Sequence, residues 1–138
     1  MESQQIYKDN NNIKSLKACL DNLKKQEMAL KELEREIQFY ATLLYKPIFK
    51  SRVMNLYETL ARFKYDLGHL EENRLKLLSK ISHHINDLTD KIKYKDIVLD
   101  AILIDTLNDL ESEIYNYFDS VSSLKLKLFQ YIESTILD

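Results

Sequence analysis

A chain of 138 residues, 45% hydrophobic and 30% charged, is long enough to bury one sizeable core without disulfides or metals. Its single glycine, Gly68, and single proline, Pro47, stand against roughly ten and seven at average usage, which argues against sheets joined by tight turns and against glycine-built phosphate loops. The one cysteine, Cys19, excludes an internal disulfide, and no apolar run approaches the ~18 residues of a membrane span.

The N-terminal run Met1-Glu2-Ser3-Gln4-Gln5 has neither the basic nor the apolar region of a secretory signal. With cysteine so scarce, the expected location is intracellular, cytoplasmic or nuclear. Residues 1–10 are expected to be a flexible or fraying terminus, and residues 11–138 a single helical domain. The fold class this predicts is all-α, a long antiparallel three-helix bundle or coiled coil, with helices over about 11–45, 48–93 and 96–136.

The first helix is read from a seven-residue repeat that is apolar at every return: Leu16, Leu23, Leu30, Ile37, Leu44. Its companion position begins with Ile13 and Leu20, then meets Glu27 and Glu34, where the stripe drifts to Met28, Leu33 and Tyr40. Asn10, Asn11 and Asn12 are candidate N-caps, because an amide oxygen can accept from unpaired N–H groups of the first turn. Pro47 ends the helix by barring helical angles at Lys46, and it suits the first turn of the next.

The second run is Val53, Leu56, Leu60, Phe63, Leu67, Leu70, Arg74, Leu77, Ile81, Ile85, Leu88, Ile92. Its phase holds through Gly68, whose cost inside a helix, ~1 kcal/mol against alanine, a long packed helix tolerates. A break at Gly68, giving four helices, is the alternative. The third run is Leu103, Leu107, Leu110, Ile114, Tyr117, Val121, Leu124, Leu128, Tyr131, Thr135. Its seam is displaced by one residue from the second, so a turn is expected near Tyr94–Asp96, with Asp96 as cap. One long helix with a stutter is the rival.

Charge is distributed unevenly. Residues 47–95 hold ten Lys/Arg against six acids, whereas residues 96–138 hold two Lys against nine. A basic second helix beside an acidic third favours their pairing over an external basic partner.

Three antiparallel helices of this build resemble spectrin-like repeats in architecture, without their tryptophan or a second repeat. The segments Lys50-Ser51-Arg52 and Ala61-Arg62-Phe63-Lys64 are similar to stretches of small helical kinetochore subunits and cover under a fifth of the chain. The resemblance implies at most a subunit of a helical assembly, of which kinetochore and trafficking complexes are examples.

The chemistry-bearing residues do not assemble into a motif. Asp105, Asp109 and Glu113 share a helix face, but di-iron bundles also need a Glu-x-x-His on each of two helices, and the nearest match is a lone Asp66-x-x-His69. His69, His83 and His84 all fall on the second helix, with no second cluster to complete a metal site. Cys19 has no oriented base beside it. No catalytic residue, cofactor, metal or small-molecule substrate is therefore assigned, and no enzyme activity is expected. Arg52, Arg62, Lys64, Arg74, Lys76 and Lys80 offer phosphate contacts, which makes a nucleic-acid-associated factor the alternative; their scatter around the helix and the acidic balance argue against it.

Nine tyrosines and many off-seam apolar residues exceed what one three-helix interior absorbs. The expected function is a non-enzymatic interaction or scaffold subunit, self-associating or part of a helical hetero-complex. A small helical chaperone or inhibitor of a partner protein is a further alternative. The candidate interface is Tyr45, Ile48, Phe49, Tyr57, Ile97, Leu99, Ile102, Ile104 and Phe118.

Overall fold

A computed structural model describes the backbone of residues 2–94 and 101–137 and the side chains of residues 14–94 and 101–137. The protein is all-α: α1 spans Glu2–Leu43, α2 Leu56–Lys93 and α3 Ala101–Thr135. No strand occurs among the described residues, and one isolated antiparallel bridge joins Phe49 to Ile136. The helices pack as a three-helix bundle divided into two compact units. The first unit holds Met1–Lys31 and Leu77–Ile114; the second holds Glu32–Lys76 and Tyr115–Asp138.

The heptad seams become the core. In the first unit Leu16, Leu20, Leu23, Leu30, Leu77, Ile81, Leu88, Leu110 and Ile114 are buried. Each such side chain, once fully buried, contributes about 1.5–3 kcal/mol. Glu27, an acid at a seam position, remains half-buried because it is engaged: Ser82 Oγ donates to it at 2.8 Å and Lys31 approaches to 3.5 Å. Lys80 of α2 pairs with Glu113 of α3 at 3.0 Å. Along one straight helix those residues would stand ~50 Å apart, so the chain reverses between them and a single helix with a stutter is excluded.

In the second unit the interior is Leu33, Ile37, Tyr40, Leu44, Leu56, Leu60, Leu67, Leu70, Tyr117, Val121 and Leu128. Tyr117 donates its hydroxyl to the Leu70 carbonyl at 3.0 Å, and the Phe63 and Tyr131 rings meet at 5.5 Å. Rising number on α3 thus meets falling number on α2, the antiparallel order. Lys125 reaches Glu36 at 2.6 Å and Phe129 meets Tyr40 at 5.6 Å, so α3 runs parallel to α1 here. The apolar void between these helices is only about 10 Å³, about the least space that holds a water.

Three local expectations are revised. First, α1 begins at Glu2, so Asn10, Asn11 and Asn12 lie within helical backbone rather than capping it. Secondly, Met28 does not take over the seam: it is 64% exposed, whereas Leu33 and Tyr40 are buried. Thirdly, Pro47 ends α1 but does not start α2, which begins at Leu56. The intervening backbone is held by the end of α3: Leu137 N–H donates to the Ile48 carbonyl at 2.7 Å and Lys50 N–H to the Thr135 carbonyl at 2.8 Å. Asn55, at φ 56°, turns the chain into α2 in a left-handed conformation that asparagine tolerates, and its carbonyl accepts from Thr59 N–H at 3.0 Å. The expected continuity of the second helix holds: Gly68 lies inside α2, and the four-helix alternative does not apply. The expected turn near Tyr94–Asp96 and the Asp96 cap fall largely on residues 95–100, outside the described residues, and the Ile13 side chain is likewise not described.

Candidate interaction surfaces

The residues with potential chemistry are dispersed or engaged structurally. Asp105 and Asp109 are exposed on α3, while Glu113 is tied to Lys80. His69 lies 3.9 Å from Glu72 and edge-on to Tyr65, and His83 meets His84 ring edge to ring face. No group of three potential metal ligands occurs among the described residues. Cys19 is half-buried; burial, then the nearby Glu111 carboxylate, push its thiol above the ordinary range, away from a reactive thiolate.

Three of the six α2-side cations proposed for phosphate contact already have intramolecular partners. Arg74 is 3% exposed and grips Glu71 through two hydrogen bonds of 2.8 and 2.7 Å. Lys80 holds Glu113, and Lys64 Nζ sits 3.8 Å above the Tyr45 ring. The Arg74 guanidinium also feels Glu34 and Tyr117. Two of the polar interruptions of the seams, Glu34 in α1 and Arg74 in α2, thus lie within electrostatic reach of one another in the second unit, Glu34 exposed and Arg74 buried. Sequence reading noted each interruption but did not pair them; their equal standing as seam defects was the available signal.

Elsewhere in the second unit, Glu36 is held below the usual carboxylate range by the hydrogen bond from Lys125 and a second from Tyr40. The Tyr40 hydroxyl is pushed well above its ordinary value, by burial first and then by the Glu36 carboxylate it donates to. Tyr117 is raised likewise by burial. A surface groove of about 560 Å³ between α2 and α3 is lined by Thr59, Arg62, Phe63, Asp66, Lys127 and Tyr131, among others. The Tyr131 hydroxyl is buried with no hydrogen-bond partner among the described residues.

The candidate interface residues fall in two places. In the second unit, Tyr45, Ile48 and Phe49 lie on the α1–α2 connection and Tyr57 on the first turn of α2. Tyr45 and Tyr57 are 72% and 82% exposed. Ile48 and Phe49 are half-buried, in the stretch pinned to the end of α3. Phe118, on α3 of the same unit, is half-buried with its ring 5.9 Å from Tyr117. In the first unit, Ile102 and Ile104 are 76% and 44% exposed at the start of α3. Ile97 and Leu99 lie outside the described residues.

Not chosen as interface candidates, though exposed, are Met54 at 85% and the pair Phe39 and Phe129, whose rings flank Tyr40 at 5.8 and 5.6 Å. Their position off the seams was visible in the sequence. That Met54 belongs to a non-helical connection was not, because the second helix was expected to begin at Ile48. Among the described residues no helix is long and apolar enough to cross a membrane. No protein-family model, curated protein or solved structure matches the chain.

Proposed function

We propose that the chain is a non-enzymatic protein–protein interaction or scaffold subunit, acting as a homo-oligomer or within a helical hetero-complex. The observation that carries this reading is the set of large apolar side chains left outside both cores, above all Tyr45, Met54, Tyr57 and Ile102, each more than 70% exposed. Scattered exposure is ordinary, but three of these four stand on or beside one connection. Tyrosine and methionine are among the residues enriched at interfaces. The nucleic-acid alternative is weakened by the intramolecular partners of Arg74, Lys80 and Lys64, since these cations already have local acids or rings.

The test is chemical cross-linking in the native host with wild type, Tyr45→Glu and Ile104→Glu, followed by mass spectrometry, with far-UV circular dichroism of each purified variant. The expected result is protein cross-links, to self or to another chain, that are depleted in the variants while helicity is unchanged. Absence of protein cross-links in wild type contradicts the proposal. Loss of helicity in the variants would instead make these residues part of the core.

A further inference from the structure

The interaction reading leaves the partner open, and the charges around the exposed apolar residues narrow it. From residue 37 to residue 57 the sequence contains Lys46, Lys50 and Arg52 and no acid. In the second unit this stretch carries exposed Tyr45 and Met54 beside exposed Lys46 and Arg52, with Lys64 Nζ over the Tyr45 ring. From residue 101 to residue 119 the sequence contains five acids and no base. In the first unit this stretch presents exposed Ile102 with Asp105 and Asp109, three and seven residues further along α3 and so on one helix face. Glu113 is taken by Lys80. Lys46, Arg52, Asp105 and Asp109 make no ion pair among the described residues.

The first patch is an apolar centre with a net basic edge, exposed Lys46 and Arg52 against exposed Glu58, and the second has Asp105 and Asp109 beside Ile102, so the two net signs are opposite. We infer that two copies of this chain associate through unlike patches: the basic apolar connection at Tyr45, Lys46, Arg52 and Met54 of one copy against the acidic apolar face at Ile102, Asp105 and Asp109 of the other. This inference rests on the interaction reading and names its partner as a second copy. Like patches repel, so each contact joins unlike patches, whether in a two-fold pair or head to tail. Exposed charges of opposite sign steer encounter and fix the choice of face, while the apolar centres supply the burial. The contact weakens with salt, because the screening length shrinks from about 10 Å at 0.1 M to about 3 Å at 1 M. An anionic membrane would use the basic patch alone and leave the acidic one unexplained.

The experiment is light scattering after size exclusion over a hundredfold concentration range, at low and high salt. It compares wild type with K46E/R52E, D105K/D109K, and the two variants mixed. All four positions are exposed, and circular dichroism verifies the fold; K46Q/R52Q and D105N/D109N replace any reversal that fails to fold, and each must then lower the association.

The expected wild-type mean mass rises at least twofold above 16.4 kDa at low salt and returns to it at high salt. Each charge reversal alone stays monomeric. Their mixture associates again, because every acidic patch then finds a basic one. A wild type fixed at 16.4 kDa at all concentrations overturns the inference. So does association that neither reversal changes, or binding to phosphatidylserine vesicles, lost in K46E/R52E, without self-association. In those cases the wider reading still stands if host cross-links remain sensitive to Tyr45→Glu or Ile104→Glu, and falls with the inference if they do not.

Discussion

Arg74 is a charged residue in the middle of an apolar seam. It occupies a seam position between Leu70 and Leu77 and is 3% exposed. Its guanidinium survives there because Glu71, one turn earlier, accepts from both Nε and Nη2. Glu34, exposed on α1, and Tyr117 lie within reach of the same charge. Removing one partner of such a pair strands the other, at a cost of about 3–5 kcal/mol when both are buried. Glu71 is about one-third exposed and can regain water, so Arg74→Ala is expected to cost less, about 2–3 kcal/mol. Replacing both partners, as in R74M/E71Q, keeps the volume and leaves no stranded charge, and should lie within ~1 kcal/mol of wild type. Urea unfolding of both variants checks the difference; an equally large loss in the double replacement would mean that the charged pair itself, rather than the volume it fills, contributes the stability. The apolar or polar character of each seam position was legible in the sequence, but the Arg74–Glu71–Glu34 grouping was not, since it needs the relative rotation of α1 and α2.

At the scale of elements, periodicity located all three helices, and its phase through Gly68 kept α2 continuous. The reason is physical: a long helix with a buried stripe gains more from packing than one glycine costs. A Cβ built on Gly68 meets nothing within 4 Å. Gly68→Ala is therefore expected to stabilise the protein by about 0.5–1 kcal/mol, read as a raised thermal midpoint with unchanged helicity. A lower midpoint would mean that α2 needs the flexibility of glycine there. The connection before α2 was misjudged because the sequence around Pro47 is compatible with an immediate restart. What decides the matter is non-local: the end of α3 supplies Leu137 N–H and the Thr135 carbonyl to the backbone of Ile48 and Lys50. Contacts between residues almost ninety positions apart leave no periodic trace in the chain. The same non-local tie half-buries Ile48 and Phe49, which sequence reasoning grouped with the exposed Tyr45 and Tyr57.

For the molecule as a whole, composition led to the fold class and heptads led to the cores, whereas the candidate site emerged only by subtraction. A surplus of apolar residues is visible in the sequence; which of them remain exposed depends on how three helices share two interiors. The account requires that the exposed group at Tyr45, Met54 and Tyr57 be covered in the protein's working state. Hydroxyl-radical footprinting in intact host cells and in dilute purified protein tests this most directly, because methionine and tyrosine are readily oxidised when solvent reaches them. Met28, 64% exposed and a member of neither proposed patch, serves as the reference. The account predicts that Met54, Tyr45 and Tyr57 are oxidised several-fold less in cells than in dilute solution, relative to Met28. Equal oxidation of the three residues in both settings would contradict it.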